Sequence, residues 1–138
     1  MTNLLHTLAS APGLYRGAGD GPEWGPITAR MEIAGVVAGQ AVTLDFEAVN
    51  ADGVVRVDHC LLSTDERGRP ELAMISDELP GIVRFTQADP GVFMAFEPIK
   101  AKIVIAADSD GAVTYQWWWT RDDAPSKPQL SVTLRRTP

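Results

Sequence analysis

The stretch ITARMEIAGVVAGQAVTLDFEAVN, residues 27–50, decides how this chain folds. Ile27, Ala29, Met31 and Ile33 fall at every second position, with Thr28, Arg30 and Glu32 between them. After the turn AGQ the alternation resumes, Val42, Leu44, Phe46 and Ala48 opposing Thr43, Asp45 and Glu47. A period of two is that of a strand with one face buried and one face wet. Two such strands joined by a short Gly-containing turn read as a β-hairpin.

Outward from this hairpin the same pattern repeats. On the N-terminal side GLYRGAG (13–19) is a short strand and DGPEWGP (20–26) a Gly/Pro-rich loop. On the C-terminal side the turn ADG leads to VVRVDHCLLST (54–64), and ELAMIS (71–76), IVRFTQ (82–87) and VFMAFEP (92–98) follow. IKAKIVIAA (99–107), AVTYQWWWT (112–120) and QLSVTLRR (129–136) complete the series. That makes about ten strands punctuated by Gly, Asp and Pro. Residues 2–10, TNLLHTLAS, form the one helical pattern, with Thr2 or Asn3 as N-cap and Pro12–Gly13 as the stop. No helical crossover of βαβ length occurs, so the sheet should be antiparallel, and short hairpin loops favour an up-and-down barrel. The expected fold is therefore all-β: a single antiparallel up-and-down β-barrel with a short N-terminal helix, one domain over residues 1–138.

Bulk properties narrow the function classes. The chain has 138 residues, 45% hydrophobic and 22% charged, which suits one folded domain. A net charge of −6, with no basic cluster beyond LRR, argues against nucleic acid as partner. A single cysteine, Cys60, precludes an internal disulfide. The opening MTNLLHTLASAPG lacks a basic n-region, and no apolar run reaches the ~18 residues of a membrane span. A cytoplasmic protein is the default expectation. Two histidines and one cysteine, far apart, do not make a metal site, and no cofactor is expected.

The segment TYQWWWTRDD (114–123) holds three of the four tryptophans. In a strand Tyr115, Trp117 and Trp119 share one face with Val113, whereas Thr114, Gln116 and Trp118 take the other. The aromatic face is expected to point into the barrel, as core or as the wall of an apolar cavity. Trp118 then lies outside, a candidate anchor for a homodimer interface. In VVRVDHCLLS the phase set by Val55 and Val57 turns His59 and Leu61 inward and Arg56, Asp58 and Cys60 outward. An inward His59 is either a satisfied core histidine or a general base near Tyr115. Met31, Phe46, Met74, Met94 and Phe96 complete the expected inner surface. Arg84 shares a face with Ile82 and Thr86 and, if inward, would need an anionic partner. The opposite phase, preferred here, puts Val83 and Phe85 inside and Arg84 in solvent. GAGDG (17–21) contains G-x-G without the strand–turn–helix setting of a phosphate cradle, and no G-x-S-x-G occurs.

A short helix, then GLYRGAGDG, then a meander of strands resembles the calycin superfamily of lipocalins and fatty-acid-binding proteins. Gly13-Leu14-Tyr15 stands where lipocalins carry G-x-W, with Tyr in place of Trp. LASAPGLYRGAGDG is similar to the opening of small bacterial lipocalin-like domains, L..L.G.W.G.G. The resemblance implies a barrel holding a small hydrophobic or amphipathic ligand. Fatty-acid-binding proteins use interior arginines for a carboxylate, which draws attention to Arg84. Nitrobindin-type haem barrels carry a proximal histidine near the C-terminus, and no histidine follows His59 here. The ligand-binding candidates are thus Met31, Phe46, His59, Met74, Arg84, Met94, Tyr115, Trp117 and Trp119. Two alternatives stand beside a binding protein: a small isomerase or cyclase using Tyr115 and His59 as acid and base, and a dimeric module with a filled core.

Overall fold

The alternation in residues 27–50 is realised as two strands in register, Met31 facing Phe46 and Ile33 facing Leu44. A computed structural model describes residues 3–97, 99–119 and 128–138. Its elements are α1 (Leu4–Ala9), β1 (Gly13–Gly21), β2 (Gly25–Val36), β3 (Ala41–Asn50), β4 (Gly53–Thr64) and β5 (Pro70–Ser76). β6 (Val83–Asp89), β7 (Val92–Ala95), β8 (Ala101–Ala107), β9 (Val113–Trp119) and β10 (Leu130–Arg136) follow. Each strand pairs antiparallel with its sequence neighbour, and β1 pairs with both β2 and β10, so ten strands close into one barrel. The expected all-β, up-and-down architecture is what forms.

Closure depends on a feature of β1. Its inward positions after Tyr15 are Gly17, Gly19 and Gly21. A Cβ at Gly17 would lie 1.8 Å from the Thr133 carbonyl oxygen, and one at Gly19 would lie 1.8 Å from that of Ser131. The backbone of β10 thus occupies the space that β1 side chains would need. Alternating glycines permit the close approach of two backbones that curves a sheet shut. The glycines of GAGDG are a closure device. The expected loop at 20–26 is correspondingly a tight turn, since β1 runs to Gly21 and β2 restarts at Gly25.

The helix stops one end of the barrel. Asn3 caps it, its side chain accepting from the His6 N–H at 2.7 Å. α1 packs against β2, β3 and β8, which lie on opposite sides of the barrel, and so spans the mouth with Leu8 buried. Tyr15 Oη donates to the Ala11 carbonyl at 2.7 Å, fastening the helix to the wall. The opposite end carries the β1–β2, β3–β4, β5–β6, β7–β8 and β9–β10 connections and, among the described residues, no helix. Leu79, Trp24, Ile99 and Trp119 pack against the core there.

Two stretches face the other way from expectation. In β4 the buried residues are Arg56, Asp58, Cys60 and Leu62, whereas Val57, His59 and Leu61 are exposed. The reason is register. Directly opposed residues of an antiparallel pair project to one face, and Asp58 sits opposite inward Phe46, Cys60 opposite inward Leu44. In β7, Phe93 and Ala95 are buried, Phe93 opposite inward Ile103. Met94 therefore projects outward and half-buried. Phe96, beyond the end of β7, is 63% exposed.

Candidate functional site

The polar groups at the centre of the barrel come from β4 and β9, strands on opposite walls. Arg56 and Asp58, two apart on β4, both point inward and are essentially inaccessible. Arg56 Nε donates to Asp58 Oδ2 at 2.8 Å, and Tyr115 Oη donates to the same oxygen at 2.7 Å. The guanidinium face lies 3.9 Å over the Trp117 ring, and Nη2 approaches Met74 Sδ at 3.8 Å. Cys60 Sγ stands 3.9 Å from Tyr115 Oη. Burying a charge is costly unless it is paired, and each ion here neutralises the other.

An aromatic cage encloses this network. The Phe46 and Tyr115 rings lie 4.4 Å apart, Phe85 meets Trp117 edge-on at 6.4 Å, and Trp117 meets Trp119 edge-on at 5.8 Å. Such rings bury ~150–250 Å² each, about 4–6 kcal/mol of gross transfer free energy per ring. Arg56 stacked on Trp117 adds a desolvated cation–π contact. Burial, and the Asp58 carboxylate beside it, push the Tyr115 phenol well above its ordinary range. Burial first and Asp58 second do the same to the Cys60 thiol. Both stay protonated and neither is a nucleophile at neutral pH.

One atom of the network is left over. Asp58 Oδ1 is enclosed and, among the described residues, has no hydrogen-bond partner. Both available donors converge on Oδ2, so the second oxygen keeps its full acceptor capacity. Orphaned buried acceptors are uncommon in folded proteins and call for a donor from elsewhere.

Of the residues singled out by sequence, Met31, Phe46, Met74, Tyr115 and Trp117 line the interior, and Trp119 lies half-buried at the end opposite α1. His59, expected inward, is on the outer wall, hydrogen-bonded through Nδ1 to Asp45. It cannot share a point with inward Tyr115, so these two do not form an acid–base pair. Arg84 is outside between buried Val83 and Phe85, the phase preferred from sequence. It projects away from the interior, and so does Met94. Trp118 is on the outer wall, its ring covered by Lys102 Nζ at 4.0 Å and its Nε1–H donating to Gln116 at 3.1 Å. Sequence reasoning missed Arg56, Asp58 and Cys60. Their one signal was opposite charges two apart on a strand, where both must share a face.

Other arrangements are weaker. Arg16 and Arg30, opposed in register, bound an open outer groove of about 410 Å³ with Thr28, Glu47 and Val49. Both guanidinia are solvent-exposed and screened. Among the described residues no three His, Cys, Asp or Glu side chains gather around a possible metal position, and no helix is long and apolar enough to cross a membrane.

Fold and site together define a closed ten-stranded antiparallel β-barrel with an enclosed ion-pair network. No protein-family model matches the chain, and no curated protein matches it. Among solved structures it is similar to a de novo designed fluorescence-activating β-barrel, with a TM-score of 0.52 and 11% identity over 96% of this chain and 98% of that one. At that identity the likeness establishes the barrel fold and nothing finer.

Proposed function

We propose that this barrel binds a small, largely apolar molecule in its interior, as the calycin resemblance implies, and that the molecule lies between the Arg56–Asp58–Tyr115 network and the end opposite α1. The observation that carries the reading is the enclosed, unpartnered Asp58 Oδ1 within a cage of Phe46, Met74 and Trp117. Binding sites combine mostly apolar walls with a few fixed polar groups, and this interior has that composition. The described interior side chains have almost no accessible surface. Binding then requires the rings near the end opposite α1 to move apart. A binding-competent state populated in part weakens the apparent affinity by that fraction.

Tryptophan emission tests this directly, because Trp117 and Trp119 lie along the entry route. A set of small apolar and amphipathic molecules should include some that change the emission saturably and raise the melting temperature. If none does either, interior binding is wrong.

A second reading, a filled barrel that associates through its outer wall, is favoured by the exposed apolar residues Val57, Leu61, Ile75, Ile82 and Phe96. Exposed apolar surface of this kind often marks an interface. Sedimentation over a range of concentrations discriminates: this reading requires a dimer whose stability falls when Ile75 and Phe96 are made polar.

A further inference from the structure

The network dictates which head group an interior ligand can carry. Resting on the binding reading above, we propose that the site recognises an uncharged head that both donates and accepts hydrogen bonds, such as an alcohol or a primary amide, and rejects carboxylates.

Three observations lead there. Arg56 Nε and Tyr115 Oη both spend their hydrogens on Asp58 Oδ2, leaving enclosed Oδ1 in need of a donor. Among the described residues the remaining hydrogen bond of the guanidinium goes to Met74 Sδ at 3.8 Å, a weak acceptor that an oxygen would replace. A head with one O–H or N–H and one oxygen therefore satisfies both sides of the ion pair at once. The third observation is charge. Arg56 and Asp58 already cancel, so a ligand carboxylate would bring an unbalanced negative charge beside Asp58 in a low-dielectric interior. An ammonium would add an unbalanced positive charge beside Arg56. The interior arginine that a fatty acid would seek is already committed to Asp58. Tyr115 stays protonated and donating to Asp58, so it does not turn to an incoming anion either. The alkyl part of the ligand would lie along Phe46, Trp117 and Trp119 towards the end opposite α1.

Four probes of one chain length separate the possibilities: decan-1-ol, decanamide, sodium decanoate and decylamine, each below its micellar concentration at pH 7.5. Emission and melting temperature are followed for the parent protein and for Asp58→Asn. The alcohol and amide should bind, with decanoate and decylamine at least about tenfold weaker. Asp58→Asn leaves Arg56 unbalanced and should move decanoate ahead of decanol. Decanoate binding the parent as tightly as decanol overturns the inference while leaving interior binding standing. If none of the four alters emission or melting temperature, the binding reading itself falls. Should Asp58→Asn fail to fold by circular dichroism, the order of the four probes on the parent protein decides alone.

Discussion

Tyr115 Oη donates a 2.7 Å hydrogen bond to Asp58 Oδ2, tying β9 to β4 across the full width of the barrel. The residues are 57 apart in the chain, and neither has solvent as an alternative partner. In a low-dielectric interior such a bond is stronger than in water, and its absence is correspondingly costly.

Tyr115→Phe keeps the ring and removes the donor. It should destabilise the fold by about 1–3 kcal/mol, because Asp58 retains Arg56. Asp58→Ala should cost more, about 3–5 kcal/mol, because it strands a buried guanidinium. Replacing both ions, as Arg56→Met with Asp58→Leu, should recover most of that loss. Urea midpoints for these proteins, with Arg56→Met and Asp58→Leu alone added to complete the cycle, test the network. Additive losses in the double variant would mean that the ions do not act as a pair.

The glycine ladder of β1 makes a sharper demand. Gly17→Ala or Gly19→Ala drives a methyl carbon into a β10 carbonyl at 1.8 Å, and backbone on both sides leaves nothing flexible to yield. Either change should cost more than about 3 kcal/mol or prevent closure altogether. Gly35→Ala is the control, since its nearest neighbour would be 3.9 Å away. It should be neutral or stabilising by up to ~1 kcal/mol. Equal melting temperatures for the Gly17 and Gly35 variants would remove the closure argument.

How much could be read from sequence follows from the same particulars. Strands with one clean apolar face, such as Ile27–Ile33 and Val42–Ala48, announced their burial because every second residue agreed. In β4 the two faces compete: Val55, Val57 and Leu61 on one, Cys60 and Leu62 on the other. The decision came from pairing with β3, where Asp58 meets Phe46, and from Tyr115 on the far wall. Neither contact is local, so no window of sequence contained it. The same competition makes His59 read as inward, whereas the β3–β4 register sets it opposite Asp45 on the outer wall. The aromatic side of the site, Tyr115 and Trp117, was legible because β9 alternates without conflict.

On the outer wall, His59 should be nearly silent. Its side chain is 52% exposed and Asp45 is 53% exposed, the regime in which an ion pair contributes about 0–1 kcal/mol. His59→Ala should leave stability within about 0.5 kcal/mol and any interior ligand affinity unchanged. Trp117→Ala should lose about 3–5 kcal/mol. A His59 variant that alters ligand affinity would show that the wall transmits what the geometry separates.

The β2–β3 turn carries stored strain. Val37 has φ 51° and Ala38 φ 55°, the left-handed region that side chains with a Cβ disfavour. Val37 is 73% exposed, so packing gives nothing in return. Val37→Asn and Ala38→Gly suit that backbone and should each stabilise by about 1 kcal/mol. Chemical denaturation of the two single variants measures this, and a loss of stability in either would show the turn to be unstrained.

The enclosed thiol and phenol set the alkaline limit of the fold. Burial and the neighbouring Asp58 raise both Cys60 and Tyr115 in the native state, whereas in the unfolded chain they ionise near ~8.5 and ~10. Above those values the unfolded chain has released protons that the native state still holds, so stability falls as pH rises. The loss starts near pH ~8.5 from the thiol and steepens above pH ~10 as the phenol joins, each group approaching about 1.4 kcal/mol per pH unit. Cys60→Ala should flatten the first part of the decline and Tyr115→Phe the second, each compared with the parent so that the remaining titrations cancel. Stability curves that run parallel for the three proteins from pH 7 to 11 would mean that both groups ionise as readily inside the barrel as outside it.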